Sequence, residues 1–449
     1  MPRMEFGISA FKRARGDLPE LPVVNMYAET APVEETGVVL QSRQGLVDRS
    51  ADMGAGPVRS LFKGNGVLDG ALYGVSGGNI YRETVSLGTI SGPHFVSMAG
   101  YEDKLFVCAG EEIKVWDGVS LTTLSFPDSA NVLKIVVGAS RLVAIREDTE
   151  NFYWSDPLST TIGGLNFATA ENQPDRLRDV LFIDDYLVLF GAESTEFWPN
   201  TTDANLPFQP LEGRVMERGV KNTGAACRYG TTFAWVTNQN QVCFSDENTV
   251  LSNPGLEEEI AASTNAYLFP FFMGGTEFLA LQIDSGTWVF NARSGTFSNF
   301  RTYGGDGWTP SCFAGGVFGS SIDGTTYAFG EYLDQGGVLE RRFRAGFPLN
   351  GGGVQINNIS LRCNVGGTPY LSGTYQEPTV EMRLSRDGGN TWGEWRAASL
   401  GKQGNYRKRV AWHGLGIVSQ PGLLAEFRVT APVDFRVSAI FVNEPLGGI

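Results

Sequence analysis

Short apolar runs separated by turn residues recur along this chain in one layout. Each repeat has an apolar run, a turn, a second apolar run, a second turn, and a run that ends in an aromatic residue. Seven segments show it: residues 58–83, 97–118, 132–156, 178–200, 224–246, 271–295 and, more loosely, 311–343. Their final aromatic residues are Tyr81, Trp116, Trp154, Trp198, Phe244, Phe290 and Phe343, at steps of 35 to 53 residues. Such sets are typical of β-propeller blades, which stack around an axis because one blade cannot bury both of its faces.

The repeat predicts an all-β chain whose main body is a β-propeller, with seven blades favoured and six as the alternative. Glycine supports this prediction, since 57 of the 449 residues are Gly, roughly twice the usual share. Many stand in DG and GG pairs, which suit β-turns because both central residues of a type I′ turn need a positive φ. The segment Gly37–Ser50 is a candidate for a closing strand beside the last blade. An ordinary β-sandwich with coincidental spacing is the competing interpretation.

The pattern changes at three consecutive glycines, Gly351–Gly353. Beyond them, successive runs alternate apolar and polar residues with a period of two, as strands with one wet face do. About 95 residues in six or seven such strands suggest a small β-sandwich. We therefore predict an N-terminal arm over residues 1–36, a β-propeller over 37–350 and a C-terminal β-sandwich over 351–449.

Composition narrows the classes of function. The chain has 35 Lys and Arg against 49 Asp and Glu, a formal net charge of −14, which disfavours holding nucleic acid by phosphate neutralisation. We expect neither a membrane span nor a secretory signal, because the necessary apolar runs are missing. The five widely spaced cysteines indicate free buried thiols from a reducing compartment. Two histidines exclude a His-rich metal site and disfavour a Ser-His-Asp or Cys-His triad.

One motif points towards carbohydrate enzymes. The run SRDGGNTWGEW fits the S-x-D-x-G-x-T-W Asp-box of sialidases and related propellers. Its Ser385, Asp387, Gly389 and Trp392 are predicted to tie one hairpin through side-chain bonds to the turn, without chemistry. A sialidase also needs an arginine triad, a Tyr–Glu pair and a carboxylic acid. It usually repeats the box in each blade, whereas the blades here hold only the shorter echo IDSGTW, so we predict no catalytic residues.

Two acidic groups remain as candidate sites: Asp184 with Asp185, and Glu257 with Glu258 and Glu259. They lack the D-x-D-x-D-G spacing of an oxygen cage for a cation, so solvated loops are the favoured interpretation. The chain has no phosphate-binding G-x-x-x-x-G-K-[ST] loop, no H-E-x-x-H and no C-x-x-C. We predict no metal and no cofactor.

A longer segment, Leu165–Asn200, contains AENQPD and then FGAESTEFW; Glu171, Gln173, Pro174 and Asp175 belong to the first motif. It resembles the A-E-x-Q-P-D … FGxxxxEFW stretch of the tail hub or nozzle proteins of short-tailed bacteriophages, also described as tail accessory factors or packaged DNA stabilization proteins. LPVVNMYAE near the N-terminus, VMERGVKNTGAACRYGTTFAWVT and the C-terminal strands are similar to further family segments in the same order. The basic residues and most loop lengths differ from the family pattern.

The resemblance implies a structural protein and not an enzyme. Family members assemble as a homohexamer with C6 symmetry below the portal and the head-to-tail adaptor protein. Double-stranded DNA passes through the lumen without specific binding, and tail fibre or spike and plug or needle proteins attach. The resemblance thus implies a protein of the virion tail, made in the bacterial host cytoplasm, without a cofactor or a membrane span. The alternative function is a glycan-binding or sialidase-like propeller at the host surface.

Two expectations concern the implied ring. Asp184, Asp185, Glu257, Glu258 and Glu259 are candidates, from charge alone, for lining the lumen, because like charges keep the DNA backbone from sticking. The basic run FKRARG at residues 11–16 is a candidate docking segment for the adaptor or a neighbouring subunit.

Overall fold

The computed structural model describes residues 2–12, 20–32, 34, 37–93, 95–101, 103–170, 174–201, 203, 205–211, 213–349 and 351–445. Strands account for 51% of the chain and helix for 3%, which confirms the all-β prediction. The sheets form a ring of blades and a two-layered sandwich, so both predicted architectures are confirmed.

Six four-stranded antiparallel sheets, together with four antiparallel strands of a ten-stranded sheet, form seven blades along the described part of the chain, and seven is the favoured number of blades. The strands of blades one to four are Val58–Phe62, Tyr73–Ser76, Asn79–Arg82, Val85–Thr89; Ser97–Tyr101, Lys104–Cys108, Ile113–Trp116, Leu121–Leu124; Val132–Gly138, Arg141–Arg146, Asn151–Ser155, Ile162–Thr169; and Leu177–Ile183, Tyr186–Gly191, Thr195–Pro199, Val215–Met216. Those of blades five to seven are Ala226–Tyr229, Thr232–Val236, Val242–Phe244, Asp246–Val250; Tyr267–Met273, Thr276–Ile283, Gly286–Asn291, Thr296–Phe300; and Pro310–Ala314, Val317–Ser320, Thr326–Phe329, Leu46–Asp48.

The ring closes through a strand from the other end of the chain. The first strands of successive blades contact each other all the way round, and the first strand of blade seven contacts that of blade one. The outer strand of blade seven is Leu46–Asp48, which pairs antiparallel with Thr326–Phe329. This strand lies inside the segment Gly37–Ser50 that the sequence offered for closure.

The aromatic repeat marks the third strands of six blades and packs between neighbours. Phe152 and Trp154 of blade three share one apolar cluster with Trp198 of blade four, and the rings of Phe152 and Trp198 meet edge to face at 5.0 Å. The assignment of Phe343 to the seventh blade was wrong, because Phe343 lies in a strand of the sandwich. The third strand of blade seven ends at Phe329, and an extra hairpin separates it from the strand that contains Phe343.

The sandwich has two sheets around one core. The first sheet contains Glu5–Phe6, Val23–Val24, Arg341–Pro348, Gly422–Val429, Thr379–Ser385 and Arg396–Ser399. The second contains Met26–Thr30, Val38–Ser42, Arg436–Val442, Val354–Cys363 and Val410–Val418. Phe343 and Phe427 of the first sheet stack at 5.0 Å, and Trp412 of the second sheet packs on Phe427, so an aromatic contact joins the two layers.

The N-terminal segment pairs with both bodies. Glu5 pairs with Gly346 of the sandwich, and Val23 pairs with Phe343. Val24 pairs in parallel with Asn299 of blade six, so one sheet runs continuously from the propeller into the sandwich. The strand pairing suggests other domain limits than the predicted residues 36 and 350. Gly351–Gly353 lie between two strands of the sandwich, Arg341–Pro348 and Val354–Cys363. We propose that the sandwich begins ahead of Arg341 and includes the N-terminal strands.

Three short elements complete the described chain: the helix α1, Pro254–Ala262, the hairpin Leu333–Asp334 with Gly337–Val338, and a 3-10 turn, Pro127–Ser129. Helix α1 connects blade five to blade six. It starts where the Asn253 side chain accepts a bond from Leu256 N at 3.1 Å, and Pro254 occupies its first turn.

Candidate functional surfaces

The Asp-box hairpin is tied by its own side chains. Asp387 Oδ1 accepts from Ser385 Oγ at 2.7 Å and from Thr391 N at 2.9 Å, and Oδ2 accepts from Thr391 Oγ1 at 2.6 Å. Gly389, at φ +97°, donates its N–H to Ser385 Oγ, and Trp392 Nε1 donates to Gly389 O at 3.1 Å. These polar atoms of the box bond to one another and to the backbone of the same turn.

These bonds favour the ionised form of Asp387 and lower the pKa of its carboxyl group, with the Thr391 hydroxyl as the largest cause. A depressed folded-state pKa contributes stability that is present above the unfolded pKa of about 4 and is lost as the pH falls towards the folded value. We therefore expect the D387N variant to be less stable than the wild type at pH 6, with a difference that shrinks below about pH 4. Urea midpoints over this range measure the difference, and a gap that does not depend on pH would contradict the assignment.

The same loop lays two tryptophans over a row of arginines. Arg344 Cζ lies 4.7 Å and Arg383 Cζ 5.0 Å from the centroid of Trp392. Arg383 also lies 4.6 Å from Trp395, which Arg428 approaches at 4.3 Å on the other side. The order Arg344, Trp392, Arg383, Trp395, Arg428 is an alternating cation–π ladder across three strands of the first sheet, and it fixes the loop.

Glu426 lies beneath this ladder with its side chain fully buried. Its Oε1 accepts from Arg344 Nε at 3.0 Å and its Oε2 from Arg383 Nε at 2.5 Å. Both carboxylate oxygens are engaged by guanidinium groups, so the residue is placed to position arginines and not to exchange protons with a substrate. The sequence interpretation missed this ladder, because Arg344, Arg383 and Arg428 lie on strands that are distant in sequence.

An axial cavity of about 510 Å³ lies between the first strands of the blades. Its wall is largely apolar and includes Met98, Val136, Leu181, Phe182 and Pro270. A wall of this kind offers no set of convergent polar groups for a substrate.

Phe95 closes one end of the axial cavity. It lies on the connection between blades one and two, yet its ring stacks on Tyr267 of blade six at 6.1 Å. Lys134 Nζ of blade three lies 5.5 Å from the ring centroid, and a Cβ on Gly224, ahead of blade five, would clash with the ring. A side chain reaches so many blades only near the axis. Phe95 therefore lies across the axis, and a cavity of about 510 Å³ offers no passage to duplex DNA, whose major groove alone is about 12 Å wide.

A buried ion pair joins blades three, four and five beside Phe95. Lys134 pairs with Asp179, whose side chain is fully buried and also accepts from Gly224 N and Val180 N, each at 2.7 Å. Burial raises the pKa of Asp179, and Lys134 acts in the opposite direction. These donors occupy the carboxylate oxygens of Asp179, so the ion pair serves to connect the blades.

The two acidic groups lie at opposite ends of the propeller axis. Asp184 and Asp185 form the exposed turn that ends the first strand of blade four, with φ of +47° and +71°. Glu257, Glu258 and Glu259 lie on helix α1, which precedes the first strand of blade six. The expectation of a loop there was wrong, because Asn253 and Pro254 start a helix. The first strands run in the same direction, so their starts and ends lie on opposite faces.

The glutamates of the helix differ in their contacts. Glu259 accepts from Trp288 Nε1 and from Ser285 Oγ, each at 2.9 Å, and pairs with Lys12 of the N-terminal segment. Glu257 accepts from Ser252 Oγ at 2.9 Å, whereas Glu258 is exposed. Glu259 thus holds the N-terminal segment onto the propeller. Phe11 and Lys12 of the predicted docking run contact their own chain, and the rest of that run, residues 13–16, lies outside the described residues.

The family motif is only partly described, because Glu171 and Gln173 lie outside the described residues. Pro174 is exposed. Asp175 accepts from Ser194 N at 2.8 Å, from Ser194 Oγ at 3.2 Å and from Glu193 N at 2.5 Å. Since Ser194 lies in the turn between the second and third strands of blade four, Asp175 braces that turn.

Thiol and carboxylate side chains are dispersed over the described part of the chain. No group of three or more His, Cys, Asp or Glu residues there is placed to hold a metal ion, and no helix there is long and apolar enough to cross a membrane. The five cysteines are free thiols. Burial raises the pKa of Cys108, Cys312 and Cys363 to about 12 and that of Cys243 to about 11; it also raises the pKa of Cys227.

These thiols are expected to be inert in the folded protein, because only the thiolate is nucleophilic and burial suppresses it. We predict that 5,5′-dithiobis(2-nitrobenzoate) at pH 8 reacts with fewer than one thiol per chain in the first minutes under native conditions, and with all five in urea. A rapid native burst of two or more thiols would show that the cysteines are accessible.

The fold and its surfaces define a class: a two-part β-propeller and β-sandwich protein whose polar clusters serve structural ties. The family model of "Bacteriophage P22 Gp10, beta-propeller" matches residues 6–297, and that of "Bacteriophage P22 Gp10, beta-sandwich" matches residues 341–443. The chain therefore belongs to the bacteriophage P22 Gp10 family of phage tail structural proteins. A comparison with curated protein sequences found no significant match.

Solved structures resemble the chain only distantly. PorZ, described as an essential surface component of the type-IX secretion system of Porphyromonas gingivalis, has 11% identity and a TM-score of 0.38; the match covers 70% of this chain and 44% of PorZ. BamB from Moraxella catarrhalis has 12% identity and a TM-score of 0.33, covering 68% of this chain and 94% of BamB. The computationally designed Ika4 protein has 15% identity and a TM-score of 0.25, covering 34% of this chain and 91% of Ika4.

Proposed function

We propose that the chain is the subunit of a tail nozzle or hub, assembled as a homohexameric C6 ring below the portal and its adaptor. The ring conducts and seals the phage genome and carries the fibres or spikes and the plug. It acts as a structural protein of the virion tail, made in the host cytoplasm, without catalysis or a cofactor. The observation that carries the proposal is the family match to both domains, together with a structure whose described polar clusters are tied up internally.

The obstructed axis of the propeller supports a conduit formed between copies. Phe95 lies across the axis beside a cavity of about 510 Å³ with apolar walls, so a passage for DNA needs the space enclosed by a ring of chains. The proposal therefore assigns no DNA contact to the interior of the propeller.

Charge supports passage without specific binding. The net charge of −14 repels phosphates on average. Asp184, Asp185 and Glu258 are exposed and remain candidates for lining the lumen, whereas Glu259 and Glu257 already have partners in their own chain. Since the two groups lie on opposite faces of the propeller, we propose that either the aspartate turn or Glu258 faces the DNA.

Phage particles made without the chain test the function. Heads assembled in its absence are expected to package DNA and then lose it, so that the genome becomes sensitive to added nuclease. Particles that receive the purified protein afterwards should regain protection. Stable, nuclease-resistant particles without the chain would overturn the proposal.

No structural observation favours the glycan-binding or sialidase-like alternative. The box that suggested it uses its polar atoms within one hairpin. A fluorogenic sialoside assay and a glycan array test it directly, and silence in both removes it.

A further inference from the structure

A second cavity, which we call the sandwich pocket, lies beside the Asp-box hairpin and measures about 780 Å³. Its apolar wall is formed by Leu21 of the N-terminal segment and by Phe347, Pro348, Pro421 and Leu424 of the sandwich. The volume falls in the range of about 300–1,000 Å³ in which protein cavities bury a bound group. The N-terminal segment completes this pocket, which gives that segment a role in forming a surface of the protein.

Of the polar residues that line the sandwich pocket, Asp387 and Asn390 bond within the hairpin and Glu5 is exposed. Both carboxylate oxygens of Asp387 accept bonds from Ser385 and Thr391, and Asn390 Nδ2 donates to the Asp387 carbonyl at 2.7 Å. Hydroxyl-rich ligands need free donors and acceptors, whereas this wall chiefly offers apolar contact. The pocket therefore suits an aliphatic or aromatic side chain.

A matching apolar projection, which we call the rim knob, lies on the outer strand of blade three. Tyr153 pairs with Phe167 and Ser155 with Ile162, so the four residues 163–166 stand opposite Trp154 alone and bulge outwards. Leu165 on this bulge is 91% exposed, and Phe167, whose ring stacks on Tyr153 at 5.4 Å, is 40% exposed. Bulges of this kind re-aim a side chain, and an almost fully exposed leucine beside an exposed phenylalanine is a typical anchor for a partner.

The rim knob and the sandwich pocket lie at opposite ends of the molecule. The sandwich is joined to blade six, where Val24 pairs with Asn299 and the ring of Tyr27 meets Phe278 edge to face at 5.2 Å. In a ring of seven blades, blade three lies across the axis from blade six. A projection at one end and a cavity at the other cannot meet within one chain, but they meet when copies are arranged head to tail.

We infer that Leu165 of one copy inserts into the sandwich pocket of the next copy, with Phe167 beside it on Tyr153, and anchors the contact between neighbouring subunits. The inference rests on the proposed ring. Two different patches then meet at each interface, which is the heterologous contact that generates a closed ring when the rotation closes. Both partners are apolar, and both are already positioned by rigid strands, so little ordering is needed on binding.

Cross-linking in purified tails tests this contact. The double variant L165C/G346C places one thiol on the rim knob and one in the sandwich pocket, where a Cβ on Gly346 makes only ordinary contact with Leu424. The control is V119C/G346C, since Val119 is 88% exposed on the neighbouring blade two. With a short flexible bismaleimide, L165C/G346C is expected to give a ladder of covalent oligomers up to the full ring. The control and the wild type, with its buried thiols, are expected to give about tenfold less.

A second measurement uses charge in place of cysteine. The variant L165D is expected to enter tails roughly tenfold less well than the wild type, whereas V119D enters within about twofold, because only the former buries a carboxylate at an interface. Rings seen in tails without a ladder above the control, or equal incorporation of L165D and V119D, would overturn the contact and leave the proposed function standing. Tails that contain no ring of this chain would overturn both.

Discussion

Replacing Arg43 by Met is expected to lower the free energy of unfolding by about 3–5 kcal/mol, the cost of leaving a buried carboxylate without its partner. The Arg43 side chain is fully buried and makes a bidentate pair with Asp334 at 3.1 and 3.2 Å. It also donates to Asn25 Oδ1 at 2.8 Å and to the carbonyl of Arg301 at 2.7 Å. One side chain thus ties the N-terminal segment to the connection after blade six and to the extra hairpin.

Urea unfolding followed by tryptophan fluorescence measures this effect. The matched control is R176M, because Arg176 forms an exposed pair with Asp148 at 3.0 Å, for which about 0.5 kcal/mol or less is expected. The double variant R43M/D334L should recover part of the loss, because the buried charge is then absent, while Leu46 N and Tyr303 N lose their acceptor. Equal stability of R43M and R176M would contradict the role given to Arg43.

The second large loss of stability is expected for a substitution of Leu46, in the strand that closes the propeller. Leu46 is fully buried in an aromatic cluster with Phe271 and Phe318, whereas its neighbour Val47 is 49% exposed. We expect L46A to lower the free energy of unfolding by about 2–5 kcal/mol, since it removes buried methyl groups and leaves a cavity. The adjacent V47A is expected to stay within about 0.5 kcal/mol.

These two variants differ by one position on the same strand, so they separate packing from strand propensity. If the strand closes the ring as described, the L46A variant also loses the cooperativity between blades seven and six, because the cluster joins both. Matching urea midpoints for L46A and V47A would show that the closing strand does not carry this packing.

The sequence allowed the propeller to be predicted because its signal is local. Each blade repeats a run, a turn and an aromatic side chain such as Trp154 or Trp198, and the turns use residues that tolerate positive φ, such as Asp184 and Asp185. Alternation with a period of two likewise predicted the sandwich strands. The Asp-box could be interpreted from its own residues, since its hydrogen bonds join positions at most four apart.

Long-range partners were outside the reach of the sequence. Phe343 looked like a blade residue because its spacing fits, but its stacking on Phe427 depends on a strand more than 80 residues away. The ladder of Arg344, Trp392 and Arg383 joins two strands that are distant in sequence through a loop, and nothing in either strand alone indicates it. The position of Phe95 near the axis could not be predicted for the same reason, since its contacts, Tyr267 and Lys134, lie on blades that are distant in sequence.

The acidic groups show the same limit. The charge of Glu259 suggested exposure to the lumen, whereas its partners, Lys12 and Trp288, come from a distant segment and a neighbouring blade. Charge composition predicts the average field of a chain. It does not tell which carboxylates are already paired.

Cryo-electron microscopy of purified tails tests the central claim most directly. We expect a closed ring of six copies with C6 symmetry below the adaptor, whose lumen passes between the chains while each propeller cavity stays closed at Phe95. In the map, either Asp184 and Asp185 or Glu258 should face the lumen. Tails that lack this chain, or a density for DNA that runs through the axis of a single propeller, would contradict the account.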